Sequence, residues 1–240
     1  MQDLVASTLN ALQAAAIPER AAFAAGYHPS AERILGVPAP ALHGLAAELK
    51  PRLRAASPDE ILALAAALAG TGVLEARVVG MLIVAAHRPT LVALDRSRLE
   101  ALGRGMDNWV AVDTFGTLLA GDALRRGGLH PADLLAWAAS PDRWWRRAAL
   151  VATTGWNKKS HGGRGNTADT LAVCTALLAD RDPMVVKALS WALRELIPWD
   201  PEAVRTFLEL QGDKVAAQAR REVQTKLRTG TKSGRSARPS

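Results

Sequence analysis

One cysteine, one tyrosine and three phenylalanines in 240 residues leave this chain poor in several kinds of structure. A lone Cys174 forms no disulfide within the chain, and its apolar neighbours over 171–178 read as one buried helix, so a core thiol is expected rather than a nucleophile. The longest apolar runs, 61–70 and 78–86, fall well short of the roughly 20 residues that a membrane span needs. The N-terminus has Asp3 and no cationic stretch ahead of an apolar one, so no signal-peptide pattern is seen and the cytoplasm is the expected compartment. β-Branched and aromatic residues are scarce beside alanine and leucine, which disfavours strands and favours helices. His28, His43, His87, His130 and His161 are scattered, with no cysteine partner or close pair at ligand spacing, so no zinc site is expected. No glycine-rich stretch has phosphate-loop spacing after a strand, which argues against nucleotide hydrolysis.

What is present is a chain 49% hydrophobic, long enough to bury a sizeable core. Its formal charge of +7 is concentrated at one end: Arg220, Arg221, Lys226, Arg228, Lys232, Arg235 and Arg238 face Glu222 alone. The body is nearly neutral, so a polyanion has to be met by a local basic face and not by bulk charge. Residues 229–240, rich in Ser, Gly, Arg and Lys, are expected to form a disordered basic tail, either solubilising or in non-specific contact with DNA.

Helical periodicity and turn signals predict helices over 4–16, 18–25, 40–50, 58–69, 74–86, 96–103, 107–124, 131–138, 142–153, 167–178, 183–196, 201–210 and 213–227. Several begin with proline in the first turn, where its missing N–H costs nothing. The expected architecture is therefore all-α, built from short antiparallel helices. A shift of 40 residues sets Arg147 against Lys187 and the run from Asp142 against the run from Asp182. The run from Asp107 fits the same template at a shift of 35, which puts Asp113 opposite Ala148. A period near 40 with two helices per unit is that of HEAT-type solenoids, whose inner helices line a concave surface. A single repeat domain over 1–228 follows.

Within this pattern, Trp109 and Asp113 stand one helical turn apart and share a face. An acid in so apolar a helix needs a cationic partner, water or a donor. Asp113 is either a structural acid bonded to a neighbouring helix end or a group held ready for positive charge on a ligand. The repeat places Trp109 and Asp113, then Arg147 with Arg143, then Lys187 with Trp191 and Arg194, on comparable faces of successive inner helices, converging on one groove. Taken singly, Trp109, Trp144, Trp145 and Trp191 read as core residues, and Arg147 and Lys187 as solvated or paired cations.

Asn108-Trp109-Val110-Ala111-Val112-Asp113, Trp145-Arg146-Arg147-Ala148-Ala149, the run from Lys187 to Glu195 and, more weakly, Ile34-Leu35-Gly36-Val37-Pro38 together resemble the bacterial HEAT-repeat DNA alkylation repair glycosylases, the AlkD-like group. The likeness extends from about residue 30 to 228. It implies a monofunctional enzyme that excises cationic N3- or N7-alkyl purines from double-stranded DNA by hydrolysing the N-glycosidic bond, without flipping the base. By the resemblance Asp113 is the catalytic acid, Trp109 and Trp191 hold the lesion's deoxyribose and backbone, and Arg147 contacts phosphate. Arg143, Lys187 and Arg194 are expected to add phosphate contacts. No cofactor, metal or membrane is implied, and a nucleoid-associated monomer is expected. The chain departs from the family at Val110 and Ala111, which put a smaller, more apolar floor under the cleft. Its segment 156–166 is longer and richer in glycine than the family's connection. There Lys158, Lys159 and Arg164 are expected either to clasp the DNA backbone or to belong to a flexible basic connector. The competing function is a non-catalytic HEAT module that binds DNA or another protein.

Overall fold

Short capped helices account for most of the chain in the computed structural model, which describes residues 2–27 and 30–234. His28, Arg235, Arg238 and the second half of the expected tail lie outside the described residues. Among the described residues there is no β-strand, only an isolated bridge between Arg33 and Val73. Among the described residues, no helix is long and apolar enough to cross a membrane. Packing divides the chain into two compact units, Met1–Leu119 and Ala120–Ser240.

The first unit holds α1 (Gln2–Ala14), α2 (Pro18–Tyr27), α3 (Ala39–Leu53), α4 (Pro58–Ala69), α5 (Leu74–Ala86), α6 (Arg88–Val92), α7 (Arg96–Gly103) and α8 (Trp109–Thr114). Residues 74–84 of α5, apolar except for Glu75 and Arg77, are buried on every side, and α3, α4 and α8 pack against it. Ile61, Leu64 and Leu68 of α4 are almost wholly inaccessible, and each contributes about 1.5–3 kcal/mol by leaving water. Helix α4 starts on a capping box: Glu60 N–H donates to Ser57 Oγ at 3.3 Å, and Ser57 N–H to Glu60 Oε2 at 2.7 Å.

The second unit holds α9 (Gly121–Arg126), α10 (Pro131–Ala138), α11 (Arg143–Asn157), α12 (Thr167–Ala176), α13 (Pro183–Leu196), α14 (Pro201–Gln211) and α15 (Ala217–Thr229). Its central helix is α11, buried from Arg147 to Gly155 and packed by α9, α10 and α13. Cys174 is fully buried in α12, and burial pushes its thiol well above the usual range.

Five expected helices, 58–69, 74–86, 96–103, 131–138 and 183–196, have the observed bounds. The expected helix over 107–124 is instead three pieces: α8, a π-helical turn over Phe115–Ala120, and α9. The last helix starts at Ala217 rather than at 213, because Gly212 to Val215 close a turn in which Val215 N–H donates to Gly212 O at 3.2 Å. Helix α6 was not expected. It is nucleated by His87, whose ring Nδ1 accepts from Thr90 N–H at 3.4 Å, followed by Pro89 in the first turn.

Candidate functional site

Two consecutive polar residues precede α8, and each has separate work. Asp107 stays outside the helix and holds the segment before α3: its Oδ1 accepts from Ser30 Oγ and its Oδ2 from Ala31 N–H, both at 2.5 Å. Asn108, 1% exposed, is the N-cap, with its Oδ1 accepting from Val110 N–H at 2.8 Å. Trp109 is the first helical residue and Asp113 lies one turn on, both half-buried, while Ala111 and Val112 between them are wholly buried. The helix therefore turns its core face inward with alanine and valine and keeps the indole and the carboxylate on the partly accessible side.

The backbone changes pitch directly after Asp113. Thr117 Oγ1 donates to Asp113 O at 2.6 Å, at the start of the π-helical turn. Such single π-turns are rare and are frequently found at functional sites.

Trp109 and Val110 line a groove of about 680 Å³ in the first unit, with Phe23 and Tyr27 of α2 and with Ile34, Gly36 and Val37. Phe23 and Tyr27 are 73% and 61% exposed and stack on one another with ring centroids 5.9 Å apart. Sequence reasoning missed both, although their i, i+4 spacing marks one helix face. The floor is held by Glu75, a buried carboxylate that accepts from the N–H groups of Leu35, Gly36 and Val37 at 3.0, 2.7 and 3.3 Å. Gly36 has φ +76°, and a Cβ there would lie 2.5 Å from Ala21 N and Ile17 O. The weak sequence motif at 34–38 is thus the backbone nest that anchors this groove.

In the second unit the N-caps align the repeat. Asp142 accepts from Trp144 N–H at 2.9 Å and Asp182 from Met184 N–H at 2.8 Å, the geometry that Asn108 shows in α8. Measured from these caps, Asp113, Arg147 and Lys187 occupy the same helical position. The expected pairing of Asp113 with Ala148 is corrected by one residue, because Asn108 and not Asp107 is the cap.

The expected cations are placed unequally. Lys187 is exposed on α13, with Trp191 and Arg194 half-buried on the following turns of the same side. Arg147 is 5% exposed and donates through Nη1 to Met184 O at 2.5 Å, so it ties α11 to α13 instead of standing open. Arg143 is exposed, 3.5 Å from an Asp182 oxygen and 4.9 Å over the Trp144 ring. Arg194 donates to Ser190 Oγ at 3.1 Å and lies 3.9 Å from Glu222; burial lowers its pKa and Glu222 partly opposes that.

Lys158, Lys159 and Arg164 are not brought to this group. They follow the far end of α11, which at 15 residues is roughly 22 Å long. The segment there is not a loose connector. Asn166 N–H donates to Asn157 Oδ1 at 2.6 Å, Trp199 Nε1 donates to Asn157 O at 2.8 Å, and Lys159 lies 4.9 Å over the Trp199 ring. Among the described residues no cluster of three or more His, Cys, Asp or Glu is placed to hold a metal ion.

In the first unit, a half-buried indole lining an aromatic groove suits a cationic or aromatic group; in the second, the lysine, arginine and tryptophan along one side of α13 suit a phosphate-bearing one. No curated protein matches the chain. The model of the DNA alkylation repair enzymes matches residues 8–227, nearly the whole length, and the chain belongs to that family.

Proposed function

We propose that this family member is a monofunctional DNA glycosylase that excises cationic N3- or N7-alkyl purines from duplex DNA by hydrolysis, leaving the base unflipped. The observation that carries the proposal is the placement of Asp113 and Trp109 on the accessible side of α8, capped by Asn108 and followed by a π-turn.

The chemistry asks little more of a protein than that. An alkylated purine already bears positive charge, so the bond from C1′ to the ring nitrogen breaks with its electron pair going to the base, which leaves neutral. Positive charge then grows on the deoxyribose. A carboxylate at Asp113 stabilises that charge electrostatically and accepts the proton that the attacking water loses as it bonds to C1′. The indoles of Trp109 and Trp191 offer π-faces to the cationic sugar. Lys187 and Arg143 supply phosphate contacts that position the duplex without reading sequence, with Lys158, Lys159 and Arg164 adding charge at the other end of α11. Arg147, tied to Met184 O, acts by holding α11 against α13, and Arg194 by steadying the side of α13 that bears Trp191. Phe23 and Tyr27 add a stacking surface beside Trp109. The two units are taken to form one HEAT-like domain over 1–228 with a concave DNA groove, acting as a cytoplasmic, nucleoid-associated monomer without a cofactor.

Incubation with duplex DNA carrying N7-methylguanine or N3-methyladenine tests the proposal. Release of the free base with an abasic product is expected. Binding without release of either base contradicts it and points to a non-catalytic HEAT module.

A further inference from the structure

The segment after α11 encloses something the sequence does not announce. Arg125, Trp156, Asn157, Gly162, Arg164 and Asn166, with Gly165, line a cavity of about 530 Å³ that lies wholly within the second unit. Two guanidiniums line it and, among the described residues, no carboxylate does. Arg125 comes from the end of α9, donating to Gly155 O and lying 3.2 Å from Asp122, which also pairs with Arg126. One carboxylate therefore answers two arginines, and net positive charge remains at this wall. Arg164, opposite in the chain, is exposed and takes part in no ion pair among the described residues.

The cavity is built rather than incidental. Gly163 passes so close to α11 that a Cβ would meet Asn157 C and O at 2.3 and 2.4 Å. Gly165, at φ +76°, would place a Cβ 2.7 Å from Trp199. Asn157 closes the base, with Nδ2 donating to Thr170 Oγ1 at 2.8 Å while Oδ1 holds Asn166 N–H. These contacts fix a lip that presents Arg164. A mostly polar chamber with two forked cations and no acid suits an oxyanion with several acceptor oxygens and does not suit an apolar ligand.

We propose that this cavity is a receptor for a phosphoryl group, with Arg164 and Arg125 as its cationic contacts. The phosphoryl group comes either from the backbone of duplex DNA, which rests on the proposed function, or from a free phosphate compound. Arg125 is committed to Asp122 and Gly155, so Arg164 is the residue to vary.

Inorganic phosphate is titrated into the full chain at constant ionic strength, following the indole N–H resonances, and undamaged duplex DNA is titrated separately by fluorescence polarisation. A saturable phosphate shift is expected at the Trp156 resonance, lost in Arg164→Ala and weakened in Gly165→Ala, whose new methyl group collides with Trp199. If DNA is the source, Arg164→Ala also weakens duplex binding by about threefold to tenfold and lowers the slope of log K against log salt by about 0.9. A lost phosphate shift with unchanged DNA binding assigns the site to a free phosphate compound. No phosphate shift in the wild type, or an equal shift in Arg164→Ala, overturns the receptor. Base release is read independently, so a failure of the glycosylase reading and a failure of the receptor are distinguishable.

Discussion

Asp107, Asn108 and Asp113 sit within one short run: Asp107 is a tether and Asn108 a cap, while Asp113 is the residue proposed to carry the chemistry. Their consequences under substitution separate accordingly. Asn108→Ala removes the cap of α8 and is expected to cost about 1–2 kcal/mol in denaturant unfolding while slowing base release, because the first turn bearing Trp109 frays. Glu75→Ala strips three buried N–H groups of their acceptor and is expected to cost about 3 kcal/mol or more in the same measurement, with the groove beside Trp109 loosened. Cys174 is the opposite case, a residue whose environment silences it. Burial raises its thiol pKa, so the native protein is expected to resist a thiol reagent at mildly alkaline pH and to react fully once denatured. Rapid reaction in the native state contradicts that placement.

At the scale of elements, α13 and α15 meet through Glu222. Its carboxylate accepts from Ser190 Oγ at 2.6 Å and lies 3.3 Å from Lys232. Burial pushes its pKa up, but the bonds from Ser190 and Gln218 and the charge of Lys232 outweigh burial and hold it below the ordinary carboxylate value. A depressed folded pKa contributes stability above the unfolded value, about 4.3, and loses it as pH falls through the folded value. The melting-temperature gap between wild type and Glu222→Gln is thus expected to be open at about pH 6 and to close towards about pH 3. A gap that does not vary with pH contradicts this account.

Elements that begin on Ser57-Pro58, Asp95, His130-Pro131 or Asp182-Pro183 were legible in the sequence, because cap and proline are local signals. The π-turn was not, since six residues of apolar Phe, Gly, Thr, Leu and Ala carry no period that separates it from α-helix. Trp109 with Asp113 was legible as a shared face. The burial of Arg147 was not, because the carbonyl of Met184 that receives it lies 37 positions on and only tertiary packing brings it there. Nor was the cavity at Arg164, which depends on close approach at Gly163 and Gly165 rather than on any motif.

For the whole molecule, DNA binding is expected to be electrostatic in origin and separable from chemistry. Undamaged duplex affinity should fall steeply with salt, and Lys187→Ala should reduce the logarithmic salt slope by about 0.9 without changing the identity of the released base. An unchanged slope removes Lys187 from the interface. The central claim, however, is that a single carboxylate on α8 stabilises a cationic sugar. The most direct measurement is the single-turnover rate of N7-methylguanine release from duplex DNA by wild type and by Asp113→Asn, with melting temperature and duplex affinity recorded for both. The account predicts a loss of about a hundredfold or more in rate, with folding and binding retained. Release by Asp113→Asn at the wild-type rate contradicts it.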